Sequence, residues 1–346
     1  MFIVIWVLYE FVFSYWGISF PLTVFLFLIL ILLFTLRGGV KTIVWTDTLQ
    51  TTCMIAALVI SFFLVAKQMG LSGMGMFNQV VKSDYFTFIN TDFSSRLCWW
   101  KQILGGMFIT IAMTGLDQEM MQKNLSCKDL KSAQKNMLSF AFILPAVNFL
   151  FLCLGSALYI FAKKEGITAS GDDLFPYIAL NSLTPFAAIV FIVGLISALF
   201  PSSDGALTSL TTSFCIDQLK MEEKTEWSKK KKTNIRHLVH LCFALLFVGI
   251  IIFYSEHRDK HLIDTLYQIA SITYGPLLGL FAFGILTKRK VNDRAVPWVC
   301  IISPVICFIL NNNSQAWFNY SFDFELLVLN ALLTCCGLLA VSRKAE

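Results

Sequence analysis

Residues 194–220 read GLISALFPSSDGALTSLTTSFCIDQLK, an apolar run of helix length that carries hydroxyl groups and a carboxylate where lipid would tolerate neither. At about 100° per residue, Ala198, Pro201, Ser202, Gly205, Ala206, Thr208, Ser209, Thr212 and Ser213 fall on one face. Ile196, Leu199, Phe200, Leu207, Leu210 and Phe214 fall on the other. One side is small and hydroxylated; the other is bulky and greasy. Two readings fit such a helix. Small residues let membrane helices approach closely, and a Ser or Thr hydroxyl can return to a carbonyl of its own helix. Oxygens gathered at that depth can equally hold an ion or a solute.

The composition around this stretch sets the class. With 57% hydrophobic and 14% charged residues and a mean hydropathy of +0.70, the chain is far more apolar than a soluble globular protein. It reads as an all-α polytopic membrane protein. Runs long enough to cross about 30 Å of hydrocarbon lie near 21–36, 42–66, 102–122, 137–162, 186–216, 237–253, 264–286, 296–311 and 324–341. These nine complete spans follow a partial one near 1–18, which opens directly in an apolar run without a basic leader or cleavage site. It reads as the tail of a helix that begins earlier.

Lysine and arginine set the expected orientation. If Arg37–Lys41 is cytoplasmic and the spans alternate, most of the 27 basic residues fall on the inside, the richest loop being Lys220–Arg236 with its run Lys229–Lys232. The net charge of +5 therefore reports orientation and gives no reason to invoke nucleic acid. The ten cysteines are scattered, without C-x-x-C, as small core residues rather than a disulfide framework or metal site. His237/His240 and His257/His261 have helical spacing but no third ligand. No phosphate loop, nucleotide fingerprint or catalytic triad stands on an exposed segment, so no enzymatic role is expected.

Three motifs in order carry a family resemblance. Arg37–Gln50, RGGVKTIVWTDTLQ, is similar to the glycine turn and W-T-D-x-x-Q helix opening of the sodium:solute symporters, the family of the sodium/glucose cotransporters. Gln122–Lys135, QKNLSCKDLKSAQK, resembles that family's basic cytoplasmic loop, and segment 198–220 looks like its sodium-site helix. The resemblance implies a LeuT-type inverted-repeat transporter core that lacks its first helices, with solute near the midplane and sodium beside it. On that map residues 1–346 form a single transmembrane transporter domain: 1–66 a remnant of the first repeat, 102–286 the second repeat, and 296–341 additional C-terminal helices.

The implied function is sodium-coupled symport of a small organic solute or anion across the cell membrane by alternating access, incomplete as the chain stands. The alternative is a non-transporting sensor or scaffold that retains the fold. The partners are then the solute, the bilayer and sodium, the latter as coupling ion and sole metal, with no other cofactor. The family's sodium ligands on this helix fall at Ala198, Pro201 and Ser202, and proline offers a hard cation no side-chain oxygen. Ser203 could substitute if the proline reshapes the turn, and Asp204 could supply a charge, to sodium or, in a rival reading, to a proton. Asp47 reads either as a helix cap or as a way-station for sodium leaving to the cytoplasm.

Solute contacts in the family match Thr110 and Met113, with Thr114 beside them, and Gly105-Gly106 would permit an unwound backbone there. Met113 stands where sugar carriers place an aromatic gate, and Leu144 where they place a lysine, so the sugar-recognition set is not expected. Tyr267 and Gln268 match a further solute-contact region, or else serve as an interhelical hydrogen bond. Outside the spans, Trp99-Trp100 read as interface anchors and Gly171-Asp172-Asp173 as the start of a short surface helix.

Overall fold

A computed structural model describes the backbone of all residues except 1, 38–39, 87–88, 94, 96, 256–261 and 344–346; side chains at 3, 34–37, 40–44 and 262–268 are also not described. The chain runs through α1 (Phe2–Leu8), α2 (Phe20–Arg37), α3 (Val40–Gln68), α4 (Gly73–Lys82), α5 (Trp99–Thr110) and α6 (Gln118–Leu125). It continues through α7 (Leu130–Glu165), α8 (Leu174–Tyr177), α9 (Pro185–Ser213) and α10 (Lys229–Ser255). Last come α11 (Leu262–Leu286), α12 (Val296–Phe318) and α13 (Glu325–Ala340). Short strands β1 (Lys290–Val291) and β2 (Ser342–Arg343) pair antiparallel.

Among the described residues six helices are long and apolar enough to cross a membrane, or up to seven when the bent pair at the start is counted as one span. Nine complete spans were expected, and three of those nine runs depart from a single straight span among the described residues. The runs at 1–18 and 21–36 form one pair bent by 115°, turning at Gly17, whose φ of 68° suits a residue without Cβ. The run at 102–122 is broken: α5 loosens into a π-turn over Ile111–Gly115 and stops at Leu116. Asp117 then caps α6 by accepting from the Met120 N–H at 2.8 Å. The run at 324–341 yields only the 16 residues of α13.

The chain forms two compact units, Met1–Phe86 with Gln122–Lys260, and Thr87–Met121 with His261–Glu346. In the first, α9 packs most extensively on α3. A Cβ added at Gly194 would lie 2.6 Å from the Cβ of Ala57, so the two backbones meet through small residues. Leu58, Val65, Leu154, Ala157, Leu158 and Phe161 bury a further core between α3 and α7, under the amphipathic α4. Ser72 caps α4 by accepting from the Gly75 N–H at 3.1 Å. A turn at Gly171–Asp173 leads into the short helix α8, as the sequence suggests.

In the second unit α11 packs on α13, and α5 and α12 pack on α13 as well. Gly275 and Gly279, one turn apart on α11, lie against Asn330 and Thr334 of α13. Pro276 lacks the N–H that would bond the Ile272 carbonyl. Asn330 of α13 donates to that carbonyl at 2.7 Å. Ser303 of α12 shares a 2.7 Å hydrogen bond with Thr334, which donates onward to the Asn330 carbonyl at 2.9 Å. A threonine has one proton, so Ser303 is the donor.

Candidate functional site

The hydroxylated helix α9 begins at Pro185, where a missing N–H costs nothing, and carries Pro201 in its interior. Most of its hydroxyls return to their own helix. Ser203 donates to the Leu199 carbonyl at 2.9 Å, Ser209 to Gly205 at 2.7 Å, Thr211 to Leu207 at 2.7 Å and Thr212 to Thr208 at 2.8 Å. Ser202 donates to Ala198 at 3.3 Å and is exposed, and Ala198 is half-buried. Ser203 and Asp204 are each only 1% exposed, and Asp204 accepts from Thr208 at 3.2 Å.

The expected division of α9 into two faces needs one correction. Leu199 and Leu207 do not share a surface with Leu210 and Phe214. Leu207 is fully buried against Leu28, Ile31 and Ala244, and Leu199 against Ile5, Leu8 and Phe20, whereas Leu210 and Phe214 are exposed. The bulky residues thus serve two neighbours: the unit's own core and the helix exterior. Polar contact with α10 runs through Thr211 and His240, 2.9 Å apart. Because the Thr211 proton already goes to Leu207, His240 donates through Nδ1.

Asp47 lies two turns inside α3, too deep to cap it. Its carboxylate instead meets Lys123 of the basic segment at 3.4 Å. Lys123 is the second residue of the motif QKNLSCKDLKSAQK, so charge at both ends was legible, but their meeting was not. The glycine turn at 38–39 lies outside the described residues, as do His257 and His261 and the side chains of Tyr267 and Gln268.

On α5, Lys101, Gly105, Ile109 and Ala112 form the buried stripe, leaving Thr110 and Met113 exposed and Thr114 half-buried. Thr110 donates to the Gly106 carbonyl at 2.8 Å, so Gly105-Gly106 stays helical and the chain unwinds one to two turns later than expected. Gly105 serves a close approach instead: a Cβ there would lie 2.8 Å from the Phe324 carbonyl carbon. The π-turn at 111–115 packs on α11, so the segments bearing the two sets of residues expected to contact solute adjoin. The residues expected to hold sodium on α9 belong to the first unit, and those expected to meet solute belong to the second.

A polar cluster at the start of α5 escapes sequence reasoning. Lys101 is fully buried; its ammonium donates to the Ser321 carbonyl at 3.0 Å, lies 3.7 Å over the Tyr320 ring and is 4.0 Å from Glu325. Tyr320 donates to the same Glu325 oxygen at 2.9 Å, and Gln102 donates to Asp323. Burial and the Glu325 carboxylate push the Tyr320 phenol well above its ordinary range, so it stays a donor. The signal was available in a single lysine beside Trp99-Trp100 and the polar stretch YSFDFE at 320–325.

The sequence profile of the sodium:solute symporter family matches residues 10–302. The chain belongs to this family. It is similar to the sodium/sialic acid symporter SiaT of Proteus mirabilis (strain HI4320), 21% identical over 296 residues that cover 82% of this chain and 59% of that protein. It is also similar to human sodium-coupled monocarboxylate transporter 1, 25% identical over 262 residues, covering 72% of this chain and 42% of that one. The chain therefore spans about three fifths or less of the length of these curated relatives. Among solved structures, a Na+-coupled sialic acid symporter in a substrate-bound outward-open state superposes with a TM-score of 0.77 at 17% identity, over 99% of this chain and 71% of that one. The chain is accordingly a multi-pass membrane protein with a LeuT-type fold.

Proposed function

We propose that this chain carries the second-repeat machinery of a sodium-coupled symporter for a small organic anion bearing a carboxylate. The observation that carries the reading is the family match across 10–302, which takes in the oxygen-lined helix α9 and its partner α3. The family and these relatives are transporters rather than enzymes, and they do not favour a non-transporting scaffold. Sialic acid and monocarboxylates share an ionised carboxylate. Met113 and Leu144 stand where sugar carriers keep an aromatic gate and a lysine, which fits an anion better than a hexose.

In this reading sodium is held by Ala198, Ser202 and Ser203, with Asp204 adding charge. Pro201 withdraws one side-chain oxygen and frees the Ser197 carbonyl from the helix ladder, returning an oxygen of the hard type that sodium prefers. Asp47 serves as the inner way-station, where sodium exchanges with the Lys123 ammonium. Solute meets Thr110, Met113, Thr114, Tyr267 and Gln268, all within a single transmembrane transporter domain.

The test is uptake of sialic acid and of short monocarboxylates into proteoliposomes holding this chain, and the chain extended by any in-frame upstream sequence. Uptake by the extended chain is expected with an inward sodium gradient and not with a proton gradient alone; equal uptake under both would refute sodium coupling. Ser202→Ala removes one oxygen at an exposed position. It is expected to raise the sodium concentration for half-maximal uptake about tenfold, equivalent to ~1.4 kcal/mol, with unchanged membrane insertion. An unaltered sodium dependence would remove Ser202 from the site.

A further inference from the structure

Two cavities along α7 find no use in sodium or solute binding. One, of about 620 Å³, is formed by the ends of α4 and α7, where Lys82, Lys163 and Lys164 converge with Ser83, Tyr85 and Ile160, beside the carboxylate of Asp84. Among the described residues none of the three lysines forms an ion pair. Three ammonium groups against the one carboxylate of Asp84 leave this lining net positive, and an anion placed among the lysines would balance it. The walls are held in place: the Tyr85 and Tyr159 rings lie 5.5 Å apart, and the Tyr159 hydroxyl accepts from the Gly171 N–H at 3.3 Å.

The other cavity, of about 190 Å³, is wholly apolar in its lining, with Val59 and Phe63 of α3, Phe77 of α4, and Phe149, Leu150 and Cys153 of α7. Phe149, Cys153, Ile160 and Lys164 recur at helical spacing and so share one stripe of α7. At about 1.5 Å per residue the lysines stand roughly 15–20 Å along the helix from the apolar groove. That is close to the half-thickness of a bilayer's hydrocarbon core, about 15 Å. Lys163 and Lys164 occupy the last turn of α7 and Lys82 the last turn of α4, where Trp, Tyr and Lys meet headgroups in membrane proteins generally.

We infer that α4 and the C-terminal half of α7 bind an anionic phospholipid, its phosphate among Lys82, Lys163 and Lys164 and an acyl chain in the groove at Phe149 and Cys153. A soluble anion would use the lysines and leave the groove empty. A neutral lipid would use the groove and leave the charges unrelieved. Only an amphiphile with a negative head answers both features.

The experiment uses the whole chain, delipidated in a neutral detergent, with fluorescent phosphatidylglycerol as the probe. Binding is expected to exceed that of the matching phosphatidylcholine, and inorganic phosphate is expected not to displace it. Lys82→Gln/Lys163→Gln/Lys164→Gln should weaken binding by about fivefold per lysine, or about a hundredfold in all. Val59→Trp, which fills the groove without touching the charges, should weaken it as well. Equal binding of the two lipids, full displacement by phosphate, or loss upon replacing Lys229–Lys232 by glutamine instead would each overturn the assignment. Should the triple variant fail to fold, Lys164→Gln with Val59→Trp decides the question, since two unchanged affinities refute it.

Discussion

Replacing Lys101 by methionine is expected to cost the protein about 3–5 kcal/mol of stability, the range for stranding one partner of a buried ion pair. Lys101 is fully buried and answers three groups at once: the Ser321 carbonyl at 3.0 Å, the Tyr320 ring at 3.7 Å and the Glu325 carboxylate at 4.0 Å. Methionine retains the length and removes the charge. Glu325, itself only 8% exposed, would keep the Tyr320 hydroxyl but lose its cation. Lys101→Met/Glu325→Leu removes both charges and is expected to recover most of the loss, since an apolar pair of similar volume often equals a buried ion pair. Denaturant unfolding in detergent, followed for both variants, reads the difference. A single variant within about 1 kcal/mol of the parent, the range of exposed pairs, would show that the cluster is solvated.

The second large effect is expected at Asn330→Leu, at about 2–3 kcal/mol, because a part-buried carbonyl loses the donor that replaces its missing helix bond. Pro276 has already removed the N–H that the Ile272 carbonyl would use, and the Asn330 amide supplies the bond at 2.7 Å from the neighbouring helix. Leucine fills the space and satisfies nothing. A second substitution isolates the cause: Pro276→Ala returns an N–H to the ladder of α11, so it should rescue Asn330→Leu while doing little for the parent. Thermal unfolding of the four proteins of the cycle provides the coupling. Strict additivity would mean that Asn330 acts through packing alone.

The long apolar helices α3, α7, α9, α10 and α12 were legible because each is an uninterrupted run that no other environment explains. Breaks and partnerships were harder. Gly105-Gly106 looked like the point where α5 unwinds, yet glycine also permits close approach, and Phe324 uses it that way. The actual break is marked by Asp117, whose capping role could be read only with Met120 in place. Gly17 was visible, but its left-handed φ and the 115° bend belong to three dimensions. Lys101 with Glu325, Pro276 with Asn330 and Asp47 with Lys123 each join residues far apart in sequence. A single chain's composition carries no information about such pairs. On α9 the residue types were evident, whereas the distribution of Leu199 and Leu207 against Leu210 followed from neighbours that periodicity does not name.

The inward-turned hydroxyls of α9 have an electrical consequence. Each serine or threonine owns one proton and two lone pairs, and in Ser202, Ser203, Ser209, Thr211 and Thr212 that proton is committed to a backbone carbonyl four residues earlier. The oxygens of Ser202, Ser203, Ser209 and Thr212 therefore retain lone pairs and have no proton left to offer outward. These four oxygens are one-sided: each can accept from a donor or ligate a cation and none can donate to a carboxylate, a task left to Thr208 and Ser213, which donate to Asp204 and Asp217. At these four positions the dipoles turn their negative ends outward, a polarity that suits a cation over an anion before any question of size arises.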